Sequence, residues 1–303
     1  MDEKIRINKY LSDAGICSRR EADRLIEDGR VTVGNVRAVN GQKILPGEKV
    51  FVDGRPVEKK NRKVLLLFNK PSGIVCSTRQ QRDEVTVTDF IHYPIRIYPV
   101  GRLDKDSEGL LLMTNEGDLV NRIMRAGNYH EKEYLVTVDK PVDKDFIRQM
   151  AWGVPVLNTV TRPCTVEQTG QYSFRIILTQ GLNRQIRRMC QYLGYNVCSL
   201  KRIRIMNLTL DGIKEGQYRE ITEKEWKELQ KMLAESSNQP AVQTGGRHGN
   251  SSNQTNERTG PETGRSVESI LSGRYRNHKQ QRIRSDVRRT SGTGKRNRNR
   301  SDK

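Results

Sequence analysis

Apolar residues recur along this chain at helical and at alternating spacings, and the changes between the two mark out its elements. Ile7, Tyr10, Leu11 and Ala14 repeat at helical spacing, and Gly15 ends the run. Ser18-Arg19-Arg20-Glu21 opens a second helix with a capping-box pattern, which predicts that Ser18 and Glu21 satisfy each other's free amides. Ala22, Leu25 and Ile26 form its apolar stripe, and Gly29 stops it. Short β-prone runs follow at Val31–Val33 and Lys49–Val52, with Gly34-Asn35 and Asp53-Gly54 as turns. Residues 1–63 therefore read as a small helix-helix-strand module.

A larger segment, 64–235, mixes both periods. Val64–Phe68, Ile97–Val100, Leu110–Met113, Glu133–Val138 and Ser173–Leu178 are predicted strands. Asp118–Arg125, Lys144–Ala151, Arg184–Leu193 and Glu223–Ala234 are predicted helices. Strands do not alternate regularly with helices, which predicts an α+β domain with a largely antiparallel sheet. Trp152 and Trp226 read as packing residues. His92 and His130 lack partners at metal-ligand spacing and read as structural.

From Ser236 the apolar pattern stops. Residues 236–303 hold 15 Lys+Arg, 5 Asp+Glu and only 8 apolar side chains, too few to offset chain entropy, so a disordered basic tail is expected. The whole chain of 303 residues carries a formal net charge of +19. That surplus calls for a polyanionic partner, and runs such as Lys295-Arg296-Asn297-Arg298 would add sequence-independent attraction to phosphates. No apolar run approaches the roughly 20 residues that cross a bilayer, and the N-terminus has no apolar signal core. No basic amphipathic helix suits a membrane surface either, so nucleic acid is the expected partner. Five scattered cysteines without a Cys-x-x-Cys pair give no support to a disulfide framework or structural zinc, which predicts reduced thiols in a cytoplasmic protein. Lys9, Arg19, Arg20 and Arg24 fall off the apolar stripes of the small module and, beside this charge, read as an RNA-facing surface.

The densest polar stretch is Gly101-Arg102-Leu103-Asp104-Lys105-Asp106-Ser107-Glu108-Gly109, set between two predicted strands, where a loop is held rigidly enough to carry a site. A calcium loop would use Asp104, Asp106 and Glu108, but its twelfth position is Asn115 where a bidentate Glu belongs. Farther on, Ile186, Met189, Cys190 and Leu193 form a buried helical stripe, Arg184, Arg188 and Gln191 lie opposite, and Arg187 sits at the border. A border arginine can bury its stem and put its head into a cleft. On periodicity alone Tyr134 shares a face with Val136 and Val138 and reads as a core aromatic.

Two resemblances sharpen these readings. Asn8-Lys9-Tyr10-Leu11, Ala14-Gly15, Cys17-Ser18-Arg19-Arg20-Glu21-Ala22 and Gly29-Arg30-Val31 resemble the small RNA-binding domain first known from ribosomal protein S4, with Gly34-Asn35 where that family usually has Asn-Gly. Gly101-Arg102-Leu103-Asp104 with Asp106-Ser107-Glu108-Gly109-Leu110-Leu111 resembles the signature of the RsuA family of ribosomal pseudouridine synthases. Asn69-Lys70-Pro71-Ser72-Gly73, Lys132-Glu133-Tyr134 and Gln180–Met189 match it too, in order, and the segment Arg125–Tyr134 is most similar to the RluF type, which acts on large-subunit ribosomal RNA and in some members on transfer RNA. The resemblance implies an S4-like domain ahead of a pseudouridine synthase domain, and an isomerase that uses no metal or cofactor. It assigns Asp104 the central carboxylate, Arg187 its cationic neighbour, Tyr134 the ring that stacks on the target base, and Arg102 the side chain that fills the gap left by the extruded uridine. Arg184 and Arg188 join the RNA-binding set. A monomer is expected. The competing reading is a non-catalytic RNA-binding ribosome-assembly factor on the same fold.

Overall fold

The computed structural model describes residues 4–58, 62–78 and 84–237, so the predicted tail beyond Ser237 lies outside the described residues. In the small module, helices Ile7–Asp13 and Arg19–Glu27 pack Ile7, Leu11, Ala22 and Ile26 against Val31, Ile44 and Val50 of the strands that follow. Strands Val31–Val33, Val36–Arg37, Val50–Val52 and Arg55–Pro56 form an antiparallel four-stranded sheet. The predicted capping box is half made. The Glu21 amide donates to Ser18 Oγ at 3.2 Å, but the Glu21 carboxylate turns along its own helix to Arg24 Nη1 at 3.5 Å. Both partners are exposed, so the nearby opposite charge competes with the neutral amide for that carboxylate.

The larger segment builds one nine-stranded sheet. Its main order is Thr165–Gly170, Ser173–Leu178, Lys132–Val138, Val197–Ile205, Glu108–Thr114, Leu65–Lys70, Tyr218–Glu220, with Leu208–Thr209 beside Val197–Ile205 and Tyr98–Val100 beside Glu108–Thr114. Only the pairing of Val197–Ile205 with Glu108–Thr114 is parallel, in keeping with the antiparallel sheet expected of an α+β fold. Helices Lys144–Trp152 and Gln185–Tyr192 cover one half through Phe146, Met150, Ile186 and Met189. Gly117–Met124 and Glu223–Ser237 cover the other through Leu119, Ile123, Leu229 and Leu233. Trp226 packs against this second cluster as predicted. Trp152 does not pack: it is 80% exposed, because the inward positions of its helix are Phe146 and Met150 and the last residue points away from that stripe. Among the described residues no helix is long and apolar enough to cross a membrane.

Two local features aim the sheet at the site. Val197–Ile205, which the sequence pattern did not single out, is the central strand, and its ladder with Lys132–Val138 slips by one residue. Glu133 faces Arg204, but Tyr134 faces Arg202, leaving Ile203 as a bulge. The slip puts Tyr134 and Arg202 side by side on one face. Across the parallel pairing, Gly109 sits opposite Arg202 with φ +99°, and a Cβ there would lie 2.3 Å from the Arg202 carbonyl oxygen. Only glycine lets these backbones approach so closely. Gly109→Ala is expected to lose at least about 1–3 kcal/mol from backbone strain, before the clash is added. Urea unfolding of the two proteins measures this, and equal midpoints would contradict it.

Candidate active site

The loop Gly101–Ser107 joins two antiparallel neighbours, Tyr98–Val100 and Glu108–Thr114, whose register pairs Val100 with Leu112. Its shape is fixed from below by Lys70, which is wholly buried at the end of its strand. Lys70 Nζ donates to three carbonyl oxygens, those of Pro71 (2.9 Å), Lys105 (3.3 Å) and Ser107 (2.8 Å). The Gly73 amide holds the Lys105 carbonyl from the side at 2.7 Å, and the Leu103 amide reaches Cys76 Sγ at 3.4 Å. Burial pushes the Lys70 ammonium down from its usual range, while the carboxylates of Asp106, Asp104 and Glu108 act the other way. The Asn69-Lys70-Pro71 run thus belongs to the site, although the pattern alone showed only that it matched.

Asp104 sits at the crest of this loop and closes a turn with the Ser107 amide at 3.1 Å. Arg184 Nη1 lies 3.5 Å from its Oδ2, and Arg187 Nε lies 3.9 Å from the same oxygen. Arg187 is thereby near Asp104, but its stronger contacts are elsewhere. Its Nη2 donates to the Asp106 carbonyl (3.0 Å) and Ser107 Oγ (3.2 Å) and lies 3.2 Å from Asp106 Oδ2, while Nη1 donates to the Val197 carbonyl at 3.3 Å. Arg184 also pairs with Asp106, its Nη2 at 3.1 Å from Oδ2. Burial would raise Asp106, but the hydrogen bond from Arg184 and the charges of Arg187 and Arg184 outweigh it and hold that carboxyl below its ordinary range. Asp106, which the sequence reading gave no role, is the clamp that ties both arginines to the loop.

Asp104 opens onto a cleft of about 490 Å³. Tyr134, half-buried and packed against the cores on both sides of it, forms one wall. Arg102 and Arg184 line its exposed part, with Lys132, Arg202 and Leu200 on the sheet face. Arg187 is only 13% exposed at its side chain and does not itself line the cleft. Lys132 and Arg202 are the buried members that the spacing of residues gave no reason to expect. Lys132 was visible only as part of a motif, and Arg202 is reached only through the bulge.

The basic residues assigned to RNA are scattered around this centre. Arg19, Arg20 and Arg24 are exposed, Arg24 within 3.5 Å of Glu21. Lys9 is engaged: its Nζ lies 2.9 Å from both Asp13 and Asp118, tying the small module to the helix Gly117–Met124. Arg188 donates to Asn183. His130 is buried with its Nδ1 at 2.9 Å from the Ile123 carbonyl, the structural place expected of it. Asn115, at the position where a calcium loop needs a ligand, spends its side chain on the backbone of Val64 and Arg62. Among the described residues no group of three His, Cys, Asp or Glu side chains could hold a metal ion.

Asp104, Tyr134, Arg102 and Arg184 thus share one cleft on a bulged antiparallel sheet. The family model described as RNA pseudouridylate synthase matches residues 64–192, and the S4 domain model matches residues 5–50. The chain is 52% identical over 240 residues to the dual-specificity RNA pseudouridine synthase RluF of Escherichia coli (strain K12), covering 78% of this chain and 82% of that protein. It is 35% identical to the ribosomal large subunit pseudouridine synthase B of Bacillus subtilis (strain 168), covering 74% of this chain and 95% of that protein. It is 37% identical to the ribosomal small subunit pseudouridine synthase A of Salmonella typhimurium, covering 73% and 98%. A crystal structure of a pseudouridylate synthase superposes with a TM-score of 0.56 at 28% identity, covering 74% of this chain and 99% of that one. The chain belongs to the RsuA family of RNA pseudouridine synthases and is similar, at 52% identity, to its member RluF.

Lys70→Met removes the donor that the carbonyls of Pro71, Lys105 and Ser107 share and leaves that of Lys105 to the Gly73 amide alone. Amide hydrogen exchange at Gly73 and Ser107 is expected to accelerate by about tenfold or more while the rest of the sheet stays protected. Unchanged protection at both amides would contradict the anchoring role.

Proposed function

We propose that the protein isomerises a uridine of large-subunit ribosomal RNA to pseudouridine, with Asp104 as the carboxylate that attacks the nucleoside. The observation that carries this reading is the placement of Asp104: it lines the same cleft as Tyr134 and lies 3.5 Å from Arg184, on a loop held by a buried lysine. Isomerisation breaks the bond between ribose C1′ and uracil N1, turns the base, and joins C1′ to C5. The C5 proton leaves and N1 gains one, so nothing is oxidised or reduced and no cofactor is required by the balance. An ionised carboxylate can drive this by attacking the base, by attacking the ribose, or by removing a ribose proton. Each route needs a charged Asp104, and the Arg184 guanidinium lies 3.5 Å from it.

The target base must leave its stack, which costs a few kcal/mol. Tyr134 stacks on the extruded ring and Arg102 fills the gap in the RNA; both line the cleft, and Arg102 is exposed, which supports these roles. Arg19, Arg20, Arg24 and Arg188 supply phosphate contacts around the site, and Arg184 acts both on RNA and on Asp104. Arg187 holds the loop through Asp106 and Ser107 and adds its charge beside Asp104. Large-subunit RNA is favoured by the resemblance to the RluF type and by the similarity to a ribosomal large subunit pseudouridine synthase, and transfer RNA, which some members of that type accept, is the second substrate to test. A non-catalytic assembly factor would have no use for a clamped carboxylate facing a stacking tyrosine, which is why catalysis is the preferred reading.

Pseudouridine mapping of ribosomal and transfer RNA from cells lacking the gene tests this. One or a few sites are expected to vanish, to return with the wild-type chain, and to stay absent with Asp104→Asn. Purified Asp104→Asn is expected to bind the same RNA while its rate falls by at least about a thousandfold. Restoration of the sites by the variant would overturn the assignment of Asp104.

A further inference from the structure

Two cations on the sheet face of the cleft have no counterion among the described residues. Arg202 is 2% exposed and Lys132 is 7% exposed, and both line the cleft. Arg202 Nε donates to the Leu110 carbonyl at 2.7 Å, but its Nη2 is buried with no hydrogen-bond partner. Lys132 Nζ donates to the His130 carbonyl at 3.1 Å. Neither makes an ion pair with a carboxylate among the described residues, in contrast to Arg184 and Arg187, which both engage Asp106. Burial pushes the Lys132 ammonium down to about 8, and the charge of Arg202 acts in the same direction, yet the group remains mostly protonated at neutral pH. Burying an unpaired cation is costly, and burying two together is costlier. Such an arrangement suits a site whose anion arrives with the ligand.

The ladder fixes where that anion would lie. Tyr134 and Arg202 stand opposite each other on one face, and Lys132 is two residues before Tyr134 on the same face. Asp104 lines the same cleft from the loop. Phosphates follow the RNA backbone and meet the exposed guanidiniums of Arg102 and Arg184, whereas the covered heads of Lys132 and Arg202 are met by a base inserted beside Tyr134.

We propose that Arg202 and Lys132 form a cationic floor that stabilises the negative charge developing on the uracil carbonyl oxygens during isomerisation. The proposal rests on the reaction assigned above and holds for its routes alike. If the C1′–N1 bond breaks, its electron pair stays with the ring and spreads from N1 onto O2 and O4, while C1′ is captured by Asp104 or loses its neighbouring C2′ proton. If Asp104 adds to C6 instead, the C5–C6 electron pair moves onto O4. In each case charge leaves the carboxylate or the broken bond and arrives at ring oxygens, and fixed cations there act more strongly in the transition state than in the ground state. When C5 has joined C1′ and shed its proton, N1 is reprotonated and the floor again faces a neutral ring.

Single-turnover kinetics of the full chain test this, using an RNA fragment with either uridine or 5-fluorouridine at the mapped position. Loss of the target nucleoside is followed by mass spectrometry. Arg202→Met and Lys132→Met are expected to slow uridine conversion by about a hundredfold with RNA affinity within about threefold of wild type. Arg202→Lys, which keeps a cation, is expected to recover part of the rate. Fluorine withdraws electrons and lets the ring carry its charge with less help, so the same variants should lose about tenfold less on 5-fluorouridine. A misplaced or loosened site would slow both substrates equally, and that result overturns the proposal. So does weakened RNA binding in proportion to rate, which marks a phosphate contact. A wild-type chain that converts neither RNA overturns the assigned reaction as well, whereas an active wild type matched by an equally fast Arg202→Met overturns the floor alone.

Discussion

Lys70 is a charge sealed from water, and the loop that carries Asp104 is folded around it. An ammonium group in that position needs acceptors, and the three it has are carbonyls of Pro71, Lys105 and Ser107. Those bonds fix the path of the chain directly after Asp104, because two of the carbonyls they use are those of Lys105 and Ser107. The same loop then receives Arg184 and Arg187, which reach it from the helix Gln185–Tyr192 and the residue before it. Preorganisation here costs little at the moment of reaction, since the charges are already placed when substrate arrives.

The cations of the site fall into two sets with different physics. Arg184 and Arg187 are paired with Asp104 and Asp106, so their charges are largely neutralised within the protein, and their effect is to tie the loop down and hold the Asp106 carboxyl below its ordinary range. Lys132 and Arg202 are covered and make no ion pair with a carboxylate among the described residues, so they keep their field for whatever enters the cleft. Exposed arginines at the rim add a third, weaker influence that salt would screen. Binding of RNA and chemistry on one base are thus served by different positive charges, separated by burial.

Much of this was legible in the sequence, and the exceptions have physical causes. Six helices and seven of the strands follow directly from apolar spacing, the short helix Val87–Ile91 being missed, and the loop at 101–109 stood out for its three carboxylates between buried strands. Val197–Ile205 was not legible: Lys201, Arg202 and Arg204 interrupt its apolar alternation, and the bulge at Ile203 breaks the period that would have revealed it. The part played by Arg202 could not appear without that strand. The Glu21 half of the capping box and the packing of Trp152 were expected from local pattern and failed because a neighbouring arginine and the helix's own stripe prevailed. Motif resemblance reached Asp104, Tyr134 and Arg187, but not the Asp106 clamp, since pairing across the loop is a property of the folded chain.

The most direct test of the account is a crystal structure of the protein bound to its RNA with 5-fluorouridine at the target position. The extruded ring should lie on Tyr134 with a carboxylate oxygen of Asp104 in contact with or bonded to the nucleoside, and Arg184 and Arg187 still flanking that carboxylate. A target base left in its helix, or an Asp104 turned to solvent away from any nucleoside, would contradict it.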